Sequence, residues 1–205
     1  MRKAVTVGLT GQTGAGKSTA CEYLKDFGFA VIPADEIARE IMEPGSPLIP
    51  EIGKAFGEDV IREDGSLNRS LLAERAFSSK ENTKKLNSIT HPVISGLMLY
   101  KAQEKFIDGY EAVILDASQL FESGLDKNCS LVFSVLAPYE ERLRRIKERD
   151  GLTDTQAKAR MAAQFPEQFF IDNSDYVIDN NGSPENLREQ MHEVFRVIEK
   201  EISGE

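Results

Sequence analysis

The chain has 205 residues, 40% hydrophobic and 29% charged, the balance of a globular protein able to bury a core without staples. Its 25 basic and 34 acidic residues leave a net charge of −9, which argues against a nucleic-acid partner, since binding a phosphate backbone needs clustered Lys and Arg. Two distant cysteines, Cys21 and Cys129, argue against a disulfide framework or zinc site and for a reducing, cytoplasmic compartment; no apolar run reaches the roughly 20 residues of a membrane span.

Met1-Arg2-Lys3 and the short apolar stretch after it lack the long apolar core of a signal peptide. Residues 4–9 read instead as a strand buried on both faces. Residues 18–27 are predicted as a helix stopped by Gly28, and residues 29–32 as a second strand ended by Pro33, which completes a βαβ unit. Helices are predicted over residues 35–42, 48–56, 69–77 and 80–89, with a longer one starting at Pro92. So many helices between two strands indicate an inserted helical subdomain. Residues 111–115, closed by Asp116, and residues 131–135 are further strands. Charged helices over 139–149 and 153–163 flank the Asp150-Gly151 turn, before a short strand at 176–178 and an amphipathic helix at 184–202. This alternation predicts an α/β sheet covered on both faces.

Between the first strand and helix, Gly11-Gln12-Thr13-Gly14-Ala15-Gly16-Lys17-Ser18 matches G-x-x-x-x-G-K-[ST] in full. Glycines there let successive backbone N–H groups turn onto phosphates, and the helix start adds its positive end. Lys17 is expected to reach the β- and γ-phosphates and Ser18 to ligate magnesium, so Gly11 to Thr19 is the expected ATP site. The Asn-Lys-x-Asp reader of GTPases and the Leu-Ser-Gly-Gly of transporter ATPases are both absent, and no glycine follows Asp116 within Ala117-Ser118-Gln119. What remains is a small kinase.

Asp35 follows the second strand, where a carboxylate could orient an acceptor hydroxyl or merely cap a helix. Asp116 suits a carboxylate holding a magnesium-bound water, or a turn at a strand end. Arg142, Arg145 and Arg149 share one helix stripe, fit for a lid over triphosphate or for a solvated face pairing with Glu141 and Glu148. His91, before Pro92, reads more readily as a capping or packing residue than a catalyst, and His192 as a surface residue.

The order and spacing of several segments resemble the dephospho-CoA kinase family. They are Gly8-Leu9-Thr10-Gly11, Ala34-Asp35-Glu36-Ile37-Ala38-Arg39, Asp64-Gly65-Ser66-Leu67-Asn68-Arg69, His91-Pro92, Leu120-Phe121-Glu122-Ser123-Gly124-Leu125, Arg145-x-x-x-Arg149-Asp150, Ala163-Gln164 and Asp179-Asn180-x-Gly182. The resemblance implies a P-loop kinase fold with a parallel five-stranded sheet. It implies a core of about residues 1–34, 108–137 and 174–205, a helical CoA-binding subdomain of about 35–107 and a lid of about 138–173. It further implies transfer of the ATP γ-phosphoryl group, with Mg2+, to the ribose 3′-hydroxyl of dephospho-CoA, the last step of coenzyme A synthesis. The partners implied are those two small molecules, with no nucleic acid and no membrane. On the family pattern Asp35 is the base, Lys17 and Arg145 are catalytic, Arg149 binds ATP, and Arg69, His91 and Asp116 serve the acceptor. Asn180 and Gly182 flank the nucleotide base, and Arg142 falls on no required position.

The chain departs from the family at Pro33, at Ser118-Gln119, and at Phe169-Phe170, where a basic run is usual. Loss of that charge would weaken phosphate binding by the lid or shift the preferred acceptor. A kinase of another nucleoside or nucleotide acceptor, or a nucleotide-binding regulator with little turnover, stands as the alternative.

Overall fold

The structure is a computed structural model that describes residues 3–204; Met1, Arg2 and Glu205, which the sequence reading counts in the core, lie outside the described residues. The chain divides into two compact units, one of residues 1–32 and 102–205 and one of residues 33–101.

The first unit is built on a five-stranded sheet of order β2-β3-β1-β4-β5, with β1 Val5–Gly11, β2 Ala30–Pro33, β3 Ala112–Asp116, β4 Leu131–Leu136 and β5 Tyr176–Asp179. β1 runs parallel to both β3 and β4, and β4 parallel to β5. Val5, Val7 and Leu9 have no solvent exposure, as expected of a central strand covered on both faces. On one side the terminal helix α9, Pro184–Ser203, lays Leu187, Met191, Val194, Ile198 and Ile202 into this core. That spacing of three and four keeps all five on one helix face, each burial contributing about 1.5–3 kcal/mol. Pro184 at the first helical position and the Ser183 side chain accepting from Asn186 N–H start the helix.

Helix α1, Lys17–Asp26, follows β1, and β4 leads into α6, Tyr139–Asp150. Thr153 and Gln156 form a reciprocal capping box that starts α7, Asp154–Ala162. Leu143 and Ile146 of α6 pack on Ala157 and Met161 of α7 in a small apolar cluster. A further helix, α8 Glu167–Asp172, lies where the sequence reading assigns no element.

The second unit contains α2 Ala34–Glu40, α3 Leu48–Phe56 and α4 Arg69–Ala76, and α5 Lys80–Ile107 begins in it. Arg75 ties its loops together by donating to Phe56 O at 2.6 Å and to both carboxylate oxygens of Asp59. The expectation of two helices meeting at Pro92 is corrected here: α5 is continuous and Pro92 lies inside it. Proline deletes one rung of the helical ladder. The helix nevertheless carries on, because Leu86, Thr90 and Met98, spaced by four and eight residues, bury one stripe of it across the break.

Candidate active site

The loop from Gly11 to Ser18 leaves the carboxyl end of the central strand, and the conformation of its glycines explains why they are required there. Gly14 and Gly16 have φ of 78° and 100°, left-handed values that a side chain would strain. A Cβ on Gly16 would in addition overlap the Asn180 side-chain nitrogen.

Two side chains from distant parts of the chain hold the loop by its carbonyls. Asn180 Nδ2 donates to Ala15 O at 2.8 Å, and Arg145 Nη1 lies 3.3 Å from both Gly14 O and Ala15 O. Because a trans peptide points its N–H opposite its C=O, anchoring the Ala15 carbonyl turns the Gly16 N–H the other way. The first intrahelical bonds of α1 run from Thr19 and Ala20 N–H to Gly16 O, after the amides of Lys17 and Ser18. Gly16, Lys17 and Ser18 therefore present consecutive amides at a helix start, which is the chemistry of an anion cradle.

At the mouth of this cradle Lys17 Nζ is ion-paired with Asp116 Oδ1, both side chains being largely buried, while Ser18 and Thr19 are exposed. Asp116 ends β3, and the register sets it opposite Leu9, two residues before the loop begins. Cys21, one turn beyond Lys17, is buried next to this pair. Burial, and then the Asp116 carboxylate, push its thiol up to about 12, so it is no nucleophile at neutral pH.

The arginine stripe of α6 divides into separate roles. Arg145 reaches the P-loop. Arg142 is buried and donates its Nε to Ala137 O at 3.0 Å, and desolvation lowers its pKa from the usual value; it is a packing residue. Arg149 makes a two-pronged bond to Asp150, 2.8 Å on each side, and Asp150 also accepts from Arg160. Gly182 lies in the turn before α9, against Asn186.

The remaining expected residues belong to the helical unit. Asp35 is exposed and sits one residue into α2, whose N-cap position is Pro33, so the capping reading of Asp35 is corrected. Arg69 opens α4 and is paired with Glu43 at 2.9 Å. His91 lies half-buried inside α5, directly before Pro92 and not ahead of a helix start.

Sequence reasoning missed the docking of residues 164 and 165 onto the loop. Thr13 N–H donates to Gln164 Oε1 at 2.7 Å, and Gln12 Nε2 lies 3.4 Å from Phe165 O. Nor did it foresee that Asn180, expected beside the nucleotide base, gives its side-chain nitrogen to the Ala15 carbonyl. These three contacts join residues 151 to 165 positions apart, which no local pattern reveals. A cavity of about 490 Å³ lined by Phe27, Phe29, Tyr110 and Ile202 includes no P-loop residue.

A parallel sheet whose central strand feeds a phosphate cradle, with a lysine, a carboxylate and an arginine around it, defines a P-loop kinase. The dephospho-CoA kinase family model matches residues 5–186. A dephospho-CoA kinase from Corynebacterium glutamicum is 44% identical over 192 residues, 94% of this chain and 98% of that one. Among solved structures, a Thermus thermophilus protein shares 32% identity at a TM-score of 0.79, covering 95% of this chain and 98% of its own. The dephospho-CoA kinase from Campylobacter jejuni shares 28% at 0.70, covering 97% and 98%. The chain belongs to the dephospho-CoA kinase family.

Proposed function

We propose that this chain transfers the γ-phosphoryl group of ATP to the 3′-hydroxyl of the ribose of dephospho-CoA, giving CoA and ADP. The observation that carries the reading is an intact phosphate cradle, with Lys17 and Asp116 at its mouth, in a chain of this family.

On this reading the amides of Gly16, Lys17 and Ser18 receive the phosphates, and the rest of the loop from Gly11 to Thr19 shapes their seat. Lys17 exchanges Asp116 for the β- and γ-phosphate oxygens and neutralises charge that grows in the transition state. Arg145 adds a second positive charge from α6. Arg149 joins it on ATP by giving up Asp150, and Asn180 contributes by fixing the loop while Gly182 lies against the base. The donors at the mouth fit Mg2+: the exposed Ser18 hydroxyl and the Asp116 carboxylate, through water, are hard oxygens. Magnesium takes few protein ligands and keeps waters and phosphate oxygens. When bound, it would offset negative charge on the phosphates.

Asp35 accepts the proton of the acceptor hydroxyl and orients it for in-line attack. Arg69, His91 and Asp116 hold the acceptor, with the helical unit as its platform and residues 138–173 as the lid. The enzyme works in the cytoplasm on these two small molecules, without nucleic acid or membrane.

The test measures ADP release with magnesium-ATP and identifies the product by mass, comparing dephospho-CoA with adenosine, AMP and pantetheine phosphate. Selective turnover of dephospho-CoA to CoA is expected. Tight ATP binding with no such turnover would overturn the assignment of acceptor and leave the nucleotide site standing.

A further inference from the structure

The first half of the P-loop is held differently from the second. Gln12 is 6% exposed, and its side-chain nitrogen faces the Phe165 carbonyl; Thr13 N–H is taken by Gln164 Oε1. Between them Ala15 N–H closes the turn onto Gln12 O at 3.0 Å. Thus the short connection between α7 and α8 grips the loop at two successive residues.

That connection is itself fixed by rings. Phe165 stacks on Phe169 with centroids 4.0 Å apart and planes 21° from parallel. Phe169 meets Phe121 edge-on at 5.2 Å, and the buried Phe170 packs on the same Phe121. Phe121 follows β3, so the chain of contacts runs from the sheet through three rings to Gln164 and on to the loop. Aromatic pairs in such geometry add to the area they bury. The arrangement holds Gln164 Oε1 at hydrogen-bond distance from an amide that would otherwise be free to reorient.

We infer that Gln164 is a positioning residue for nucleotide binding: anchored by the Phe121–Phe169–Phe165 stack, it fixes the Thr13 peptide and so the turn from which the phosphate-binding amides follow. The inference rests on the proposed ATP site and adds a residue to it that touches no substrate. Its alternative is an opposing latch, in which Gln164 occupies an amide that the nucleotide must win back.

The experiment uses the full chain and three variants. Gln164→Met keeps the length and removes the acceptor, Gln164→Glu keeps an acceptor oxygen, and Phe169→Ala loosens the stack. Magnesium-ATP affinity is measured by titration calorimetry without acceptor, and exchange of the Thr13 amide by NMR. Gln164→Met is expected to weaken ATP about fivefold, the worth of one ordinary hydrogen bond, and to speed Thr13 exchange at an unchanged melting temperature. Gln164→Glu is expected to keep Thr13 protected, and Phe169→Ala to act like Gln164→Met with a smaller factor. Unchanged Thr13 exchange, or ATP binding that stays equal or tightens in Gln164→Met, would overturn the inference. Failure of the native chain to bind ATP would instead sink the proposed function on which it rests.

Discussion

Lys17 and Asp116 hold each other across the mouth of the cradle. A buried pair broken on one side leaves a charge without compensation, so the lysine cannot be traded for a neutral residue without cost. Lys17→Ala is expected to cut turnover at least about a thousandfold, because it removes charge from the transferring group; steady-state kinetics with dephospho-CoA checks it, and near-normal turnover would refute the cradle's role. Asp35→Asn is expected to lower kcat by roughly a hundredfold or more, the range for removing a general base, with ATP affinity within twofold. Equal loss of both would show that Asp35 serves the fold of its helix. At this scale the sequence was legible where residues are neighbours: every P-loop position follows from eight consecutive letters. It was silent where the partner is remote, as with Asn180 on Ala15 and Gln164 on Thr13, since a backbone carbonyl or amide leaves no mark in the sequence to identify its partner.

Among the elements, α5 and α8 show where local signals mislead. Pro92 suits a first helical position, and the sequence reading therefore starts a helix there. Burial of the stripe through Leu86, Thr90 and Met98 overrides that preference and leaves the proline inside. Pro92→Ala is accordingly expected to stabilise the chain by about 1–3 kcal/mol by restoring the missing rung, seen as a rise in melting temperature. A fall would mean that the local bend is needed by the surrounding packing. α8 escapes notice because six residues make less than two turns and its apolar side chains carry no clear helical period. Pro166 at its N-cap and Glu167 in its first turn were the only cues. The strands, by contrast, are each recognisable as a short apolar run between turn residues, and the central β1 is buried on both faces as such a run must be.

For the whole molecule, the two cysteines set an alkaline limit. Burial pushes both Cys21 and Cys129 from an ordinary value near 9.0 up to about 12, with nearby carboxylates adding to it. The folded chain thus keeps two protons that the unfolded chain releases over this range, so their contribution is constant below about pH 9 and stability falls as pH rises toward 12. Melting temperatures from pH 7 to 11 should decline, and less steeply for Cys21→Ala with Cys129→Ala; identical slopes would show that other groups govern the loss. The same architecture has a consequence in time. β1, with the nucleotide loop at its end, finds its first partner strand only about a hundred residues downstream, where Val5 meets Ala112, whereas the contacts of residues 33–101 are local. During synthesis the helical unit can therefore take shape while the central strand still waits for its neighbours. The P-loop, although it precedes these partner strands in the chain, is among the last features that a growing chain can complete.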